Sequence, residues 1–140
     1  MAGPRSFLLL PLLLLALVVA AHAERIPRLL GGLSEANVND ENVKRALNFA
    51  ISEFNRATND KYGSRLVRVL EAKKQLVAGM KYIFKVEIGR TTCTKSVADF
   101  SNCPDHKEPP LKKHSICDFE VHTVPWMGKS NLVKSECRNI

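Results

Sequence analysis

NVKRALNFAISEFNRATND, residues Asn42 to Asp60, is the stretch whose apolar residues keep helical spacing over several turns. Val43, Ala46, Leu47, Ala50, Phe54 and Ala57 recur at i, i+3, i+4 and i+7, which gathers them on one face. Lys44, Arg45, Asn48, Ser52 and Arg56 fall on other faces. Asn39 and Asp40 precede the run and can cap its start, because their side-chain oxygens accept from the free N–H groups of a first turn. The pattern decays into the turn-rich Thr58-Asn59-Asp60. A helix of this kind cannot bury its apolar stripe alone, and its length suits covering one face of a sheet.

The sequence on the C-terminal side supplies that sheet. Leu66 to Leu76 is rich in Val and Leu but alternates imperfectly. Tyr82, Phe84, Val86 and Ile88 alternate cleanly with Lys81, Ile83, Lys85 and Glu87. Cys117, Phe119, Val121 and Thr123 alternate with Asp118, Glu120 and His122, and Asn131 to Cys137 predicts a last strand. Between Cys93 and Lys113 lies a polar connection containing Cys103-Pro104 and Pro109-Pro110. The sum predicts an α+β domain: an antiparallel sheet of four or five strands with one face wrapped on a single helix. His106, His114 and His122 read as ordinary surface or strand histidines.

The N-terminal segment reads differently. Arg5 supplies a positive start, Phe7 to Ala21 is apolar apart from Pro11, and Ala21-His22-Ala23 has the small-x-small form of a signal-peptidase site. Residues 1–23 therefore read as a secretory signal, and residues 24–140 as one mature domain for the extracellular space. The apolar run is too short and wrongly flanked for a membrane span, and no later stretch approaches the roughly 20 apolar residues a span needs. The four cysteines, Cys93, Cys103, Cys117 and Cys137, all lie in the mature part and read as two disulfides. Of the three connectivities, the sequential one, Cys93–Cys103 with Cys117–Cys137, closes short loops without crossing and is preferred. Their spacings of 10, 14 and 20 lack the close pair of a zinc site, so no metal or other cofactor is expected.

Setting Arg5 aside leaves 20 basic residues against 14 acidic ones, a mature net charge of +6. The basic residues are spread out, and no basic stripe interleaved with aromatics offers a nucleic-acid surface. A cationic host-defence or polyanion-binding protein is the rival reading from charge. Charge leaves unexplained two turns and an arm. Gln75-Leu76-Val77-Ala78-Gly79 reads as a hairpin whose Gly79 supplies positive φ. Val124-Pro125-Trp126-Met127-Gly128 reads as a second tip, carrying the only tryptophan. Pro27 and Gly31-Gly32 argue for an extended, mobile arm that includes Leu29 and Leu30, which read either as a first strand packed on the body or as an arm that closes on a partner. In an antiparallel sheet the tips of alternate connections point the same way. The three uncharged pieces could thus share one end, shaped for a groove on another protein.

These residues carry a specific resemblance. QLVAG matches the Gln-x-Val-x-Gly hairpin of the cystatins, Pro125-Trp126 matches their second hairpin, and RLLGG matches the glycine-bearing arm of their secreted, two-disulfide branch. The stretches NVKRALNFAISEFNRATND and IGRTTCTK look like that branch too, so the similarity spans nearly the whole mature chain. The resemblance implies a five-stranded antiparallel sheet wrapped around one long helix, with disulfides paired sequentially. It implies a non-enzymatic, tight and reversible inhibitor of papain-like cysteine proteases such as lysosomal cathepsins. Gln75, Leu76, Val77, Ala78 and Gly79 would cover the catalytic pair, and Pro125 and Trp126 would pack on the primed side. Leu30 would enter the apolar non-primed pocket beside Leu29, with Gly31 as the bend. Asn59 resembles the asparagine by which some secreted cystatins inhibit legumain, which makes legumain a second expected partner. A monomer is expected, with dimers formed by exchanging the helix and its flanking strands as a hazard of a hinge-like hairpin.

Overall fold

The computed structural model describes residues 32–140. The signal assignment at 1–23 and the arm residues Leu29, Leu30 and Gly31 lie outside the described residues. Helix α1 spans Glu41–Ala57. Asp40 caps it, its carboxylate accepting the Asn42 N–H at 2.8 Å. Asn39 takes no part in the cap; its N–H donates to Asn37 Oδ1 and shapes the turn before the helix. Thr58 N–H donates to Phe54 O and closes the last turn.

The apolar face of α1 meets a sheet of five strands in the order β1-β2-β3-β4-β5. Their ranges are Ser34–Glu35, Tyr62–Val77, Gly79–Thr94, His114–Val124 and Lys129–Asn139, and every neighbouring pair is antiparallel. Val43, Ala46, Leu47 and Ala50 of the helix pack with Ala72, Tyr82, Phe84, Val86, Ile88, Cys117, Phe119 and Val121 of the sheet. The Phe54 ring lies 6.0 Å from Phe119, tilted against it. Burial of several such side chains, each worth about 1.5–3 kcal/mol, is the main force holding helix to sheet.

The strands run longer than the sequence pattern predicts, and β2 shows why. Its register against β3 slips where Leu66 is followed by Arg68 and where Val69 is followed by Glu71. Val67 and Leu70 are therefore extra, bulged residues, and both are exposed. Leu66, Val69 and Ala72 face the core at a spacing of three rather than two, which is the imperfect alternation seen in the sequence. Each bulge adds bend and twist, and together they curl the strand around the helix. A further slip in β5 leaves Val133 exposed.

The predicted apolar face of α1 ends early. Ala57 is exposed, and the buried residue of the last turn is Asn55. Its amide donates to Ser64 O and accepts from Ser64 N–H, both at 2.9 Å. This two-way clasp ties the helix end to the start of β2 and satisfies a backbone pair that no neighbouring strand reaches there.

The connection from 95 to 113 is held at the same end of the sheet. Cys93 pairs with Cys103 beneath it, and Cys117 pairs with Cys137 across directly opposed positions of β4 and β5. His114 is more than an ordinary strand histidine. Its Nδ1 lies 2.7 Å from Glu87 and its Nε2 3.0 Å from Asp105. Arg65 and Arg68 reach the same two carboxylates from β2. The hydrogen bond from His114, then that from Arg68, holds the Glu87 carboxyl below the ordinary carboxylate range.

Asn55→Ala leaves the Ser64 N–H and C=O without their partners in a buried place. The expected loss is about 2–3 kcal/mol of unfolding free energy, read as a lower urea midpoint with an unchanged m-value.

Candidate functional site

At the first hairpin, Val77 pairs directly with Gly79, so Ala78 alone forms the apex. Few backbones close this tightly without positive φ, and Gly79 has φ of 96°. Gly79 is also buried, because β4 ends against it. A Cβ built at position 79 would overlap the carbonyl oxygen of Thr123. His122 Nε2 donates to Ala78 O at 2.6 Å, anchoring the apex to β4 from the other side. Gln75 sits opposite Lys81 one step below the exposed part of the turn. Leu76 is 62% exposed, and Val77 and Ala78 face solvent beyond it.

At the second hairpin, Val124 pairs with Lys129, and Pro125–Met127 form one 3₁₀ turn between them. Pro125 stands at its start, where a missing N–H costs nothing. Gly128 closes it in the left-handed region with φ of 60°, its N–H donating to Pro125 O at 3.1 Å. Trp126 is 71% exposed and Met127 stands out beside it.

The register decides where these tips lie. Met80 opposes Thr123, so the first residues of β3 lie beside the last residues of β4. Both tips therefore project from the same end of the sheet, side by side. Ser34 opposes Lys74 in antiparallel sense, so β1 runs away from that end and Leu33 leads into it there. Leu33 is 55% exposed. The result is an uncharged edge of Leu33, Leu76, Val77, Ala78, Pro125, Trp126 and Met127. Concentrated apolar exposure of this kind marks an interaction surface. Pattern reading missed Leu33, His122 and Thr123. Leu33 looked like part of the arm, while the other two support the edge through a register the sequence does not display.

Asn59 is exposed at the opposite end of β2, between two held neighbours. Thr58 O accepts from Lys95 Nζ. Asp60 accepts the Tyr62 N–H at 3.0 Å and two N–H groups of Arg90. Burial alone would raise the Asp60 carboxyl, but these hydrogen bonds and the Arg90 charge hold it below its ordinary value.

All four cysteines are oxidised, so the chain carries no thiol nucleophile. Among the described residues no three His, Cys, Asp or Glu are grouped to hold a metal ion. No helix among them is long and apolar enough to cross a membrane.

A curled antiparallel sheet gripping one helix, stapled by two sequential disulfides, defines a protein of cystatin architecture. The cystatin domain model matches residues 31–126. Cystatin-C of Bos taurus is 52% identical over 141 residues, covering 92% of this chain and 95% of its own. The cystatin of Gallus gallus is 49% identical over 139 residues, covering 99% and 100%. The crystal structure of dimeric human cystatin F superposes with a TM-score of 0.70 at 32% identity, over 79% of this chain and 88% of that one. The chain belongs to the cystatin family, and with it to the inhibitors of cysteine proteases rather than to enzymes.

Gly79→Ala forces a side chain into the left-handed region and against the Thr123 carbonyl. It is expected to cost about 2 kcal/mol of stability. Chemical denaturation of the purified variant reads this directly, and a loss below a few tenths would show that the turn relaxes freely.

Proposed function

We propose that residues 1–23 direct secretion and are removed, and that residues 24–140 inhibit papain-like cysteine proteases, lysosomal cathepsins among them, by occluding the active-site cleft. The observation that carries this reading is the pair of uncharged hairpin tips standing side by side on one rigid sheet end. A papain-like cleft has a Cys–His pair at its floor. Gln75 to Gly79 fits over that pair as folded-back backbone, which offers no extended peptide to the thiolate. Pro125 and Trp126 pack on the primed side. Leu30 fills the apolar non-primed pocket, Leu29 lies beside it, and Gly31 gives the arm its bend. No covalent step takes part. A stable complex of ordinary size buries about 1,600 Å² in total. Here the sheet-borne part of the contact is ordered before binding and adds little ordering cost.

A second surface serves legumain, an asparaginyl endopeptidase. Asn59 is held out between Thr58 and Asp60, both fixed by side chains of other elements, as a substrate-like asparagine should be. This surface stands at the other end of β2 from the hairpins, so the two activities are separable. The monomer is the inhibitory form. Exchange of β1, α1 and β2 between two copies would open the Val77–Gly79 turn into continuous strand and remove the first hairpin from the edge.

Titration of active papain with the correctly bridged monomer should give stoichiometric inhibition. Binding to heparin alone, abolished by salt, would favour the cationic reading instead. Trp126→Ala is expected to cost about 2 kcal/mol, a roughly thirtyfold rise in inhibition constant, as for a central aromatic of an interface. Gly31→Trp should weaken inhibition of cathepsins that depend on the arm. For the second surface, Asn59→Lys should abolish legumain inhibition and leave papain inhibition unchanged; loss of both would point to misfolding.

A further inference from the structure

The first hairpin closes on a single apex residue, and its geometry hangs on one peptide plane. Val77 and Gly79 face each other across the ladder, which leaves the Ala78 carbonyl without a strand partner. The plane between Ala78 and Gly79 can turn over in a tight turn, because glycine accepts either sign of φ. A turned plane would carry the carbonyl to the other side of the hairpin and change the profile of Leu76, Val77 and Ala78.

One side chain reaches the carbonyl in the orientation present. His122 lies on β4, opposite Lys81 of β3 and Asn131 of β5. Lys81 is engaged by Glu120 at 2.8 Å, so the ring of His122 reaches past it to the apex. The contact from Nε2 to Ala78 O is 2.6 Å. A carbonyl can only accept, so Nε2 is the nitrogen that carries the proton. The same ring nitrogen lies within 3.3 Å of where a Cβ of residue 79 would be, so ring and turn are packed as well as bonded. Two positions beyond His122 the chain reaches Val124 and then Pro125-Trp126. One side chain thus links the apex of the first hairpin to the strand that carries the second.

We propose that His122 is a positioning residue for inhibition: its Nε2–H locks the Ala78–Gly79 peptide in the orientation that fits a protease cleft. This rests on the occlusion reading above. The physical effect is pre-organisation. When only a fraction of molecules holds the competent orientation, the apparent dissociation constant rises by the inverse of that fraction. Losing one such hydrogen bond should raise the inhibition constant roughly three- to tenfold. Because the competent state must then be selected before docking, the loss falls on the association rate rather than on dissociation.

The test compares wild type, His122→Phe and His122→Gln against papain, with rate constants measured separately. Phe keeps a planar ring without a donor. Gln places an amide N–H the same number of bonds from the backbone as Nε2. The expected result is slower association for the Phe variant, an unchanged dissociation rate, and recovery of most of the loss by Gln. Nitrogen-15 NMR of the wild-type ring should show Nε2 protonated and protected from exchange, with no protease present. A Phe variant equal to wild type, a Gln variant as slow as Phe, or an unprotonated Nε2 would each overturn the clamp. A wild-type protein that leaves papain active would overturn the occlusion reading itself.

Discussion

The Thr123 carbonyl occupies the space that a side chain at position 79 would need, and this close approach makes one edge out of two hairpins. The glycine serves twice there. It supplies the positive φ that closes the turn over Ala78, and it admits β4 to within contact of the turn. Were the first hairpin free to splay from β4, Trp126 and Leu76 would be two independent turns on flexible stems. Packed together, they share the stiffness of a sheet whose central residues, Phe84, Val86, Phe119 and Val121, are almost wholly buried. The rigidity of the edge is thus a product of core packing transmitted along β3 and β4.

Curvature is the second requirement, and it comes from β2. A regular strand opposite β3 would leave α1 resting on a nearly flat surface. Bulges at Val67 and Leu70 bend the strand so that Leu66, Val69 and Ala72 all reach the helix. The two extra residues are exposed apolar side chains, a local cost offset by burial of the inward three. The Asn55–Ser64 clasp then fixes the helix end where the apolar stripe has stopped. At that same end the Arg65–Asp105–His114–Glu87–Arg68 chain of side chains binds the long connection to the strands. Such partly buried pairs contribute position more than net stability.

Much of this was legible in the residues. The spacing from Val43 to Phe54 gave the helix, the alternation from Tyr82 to Ile88 and from Cys117 to Thr123 gave the two central strands, and the glycines at 79 and 128 marked both tips. Alternation failed in β2 because period-2 reading has no place for a bulge, and it understated strand length because Tyr62 to Arg65 and Lys129 to Ser130 carry no apolar alternation. Asn55 was invisible because a polar residue on a helix reads as solvent-facing until its partner is known. His114 and His122 were invisible for the same reason: each acts on a residue many positions away, across a register that only folding fixes. The two hairpin tips could be placed at one end by strand parity alone, whereas what holds them together could not.

The division of labour within the edge follows from these constraints. Any binding surface gains most when its shape is set in advance, since every bond that must be ordered on docking subtracts from affinity. The hairpins satisfy this through the pairing of β3 with β4, a glycine contact and a side-chain hydrogen bond, none of which requires a partner protein to form. Leu33 precedes β1 and adds an exposed apolar side chain to this edge. A change at Gly79 or Thr123 is felt at both tips, because the two residues are in contact where the hairpins meet.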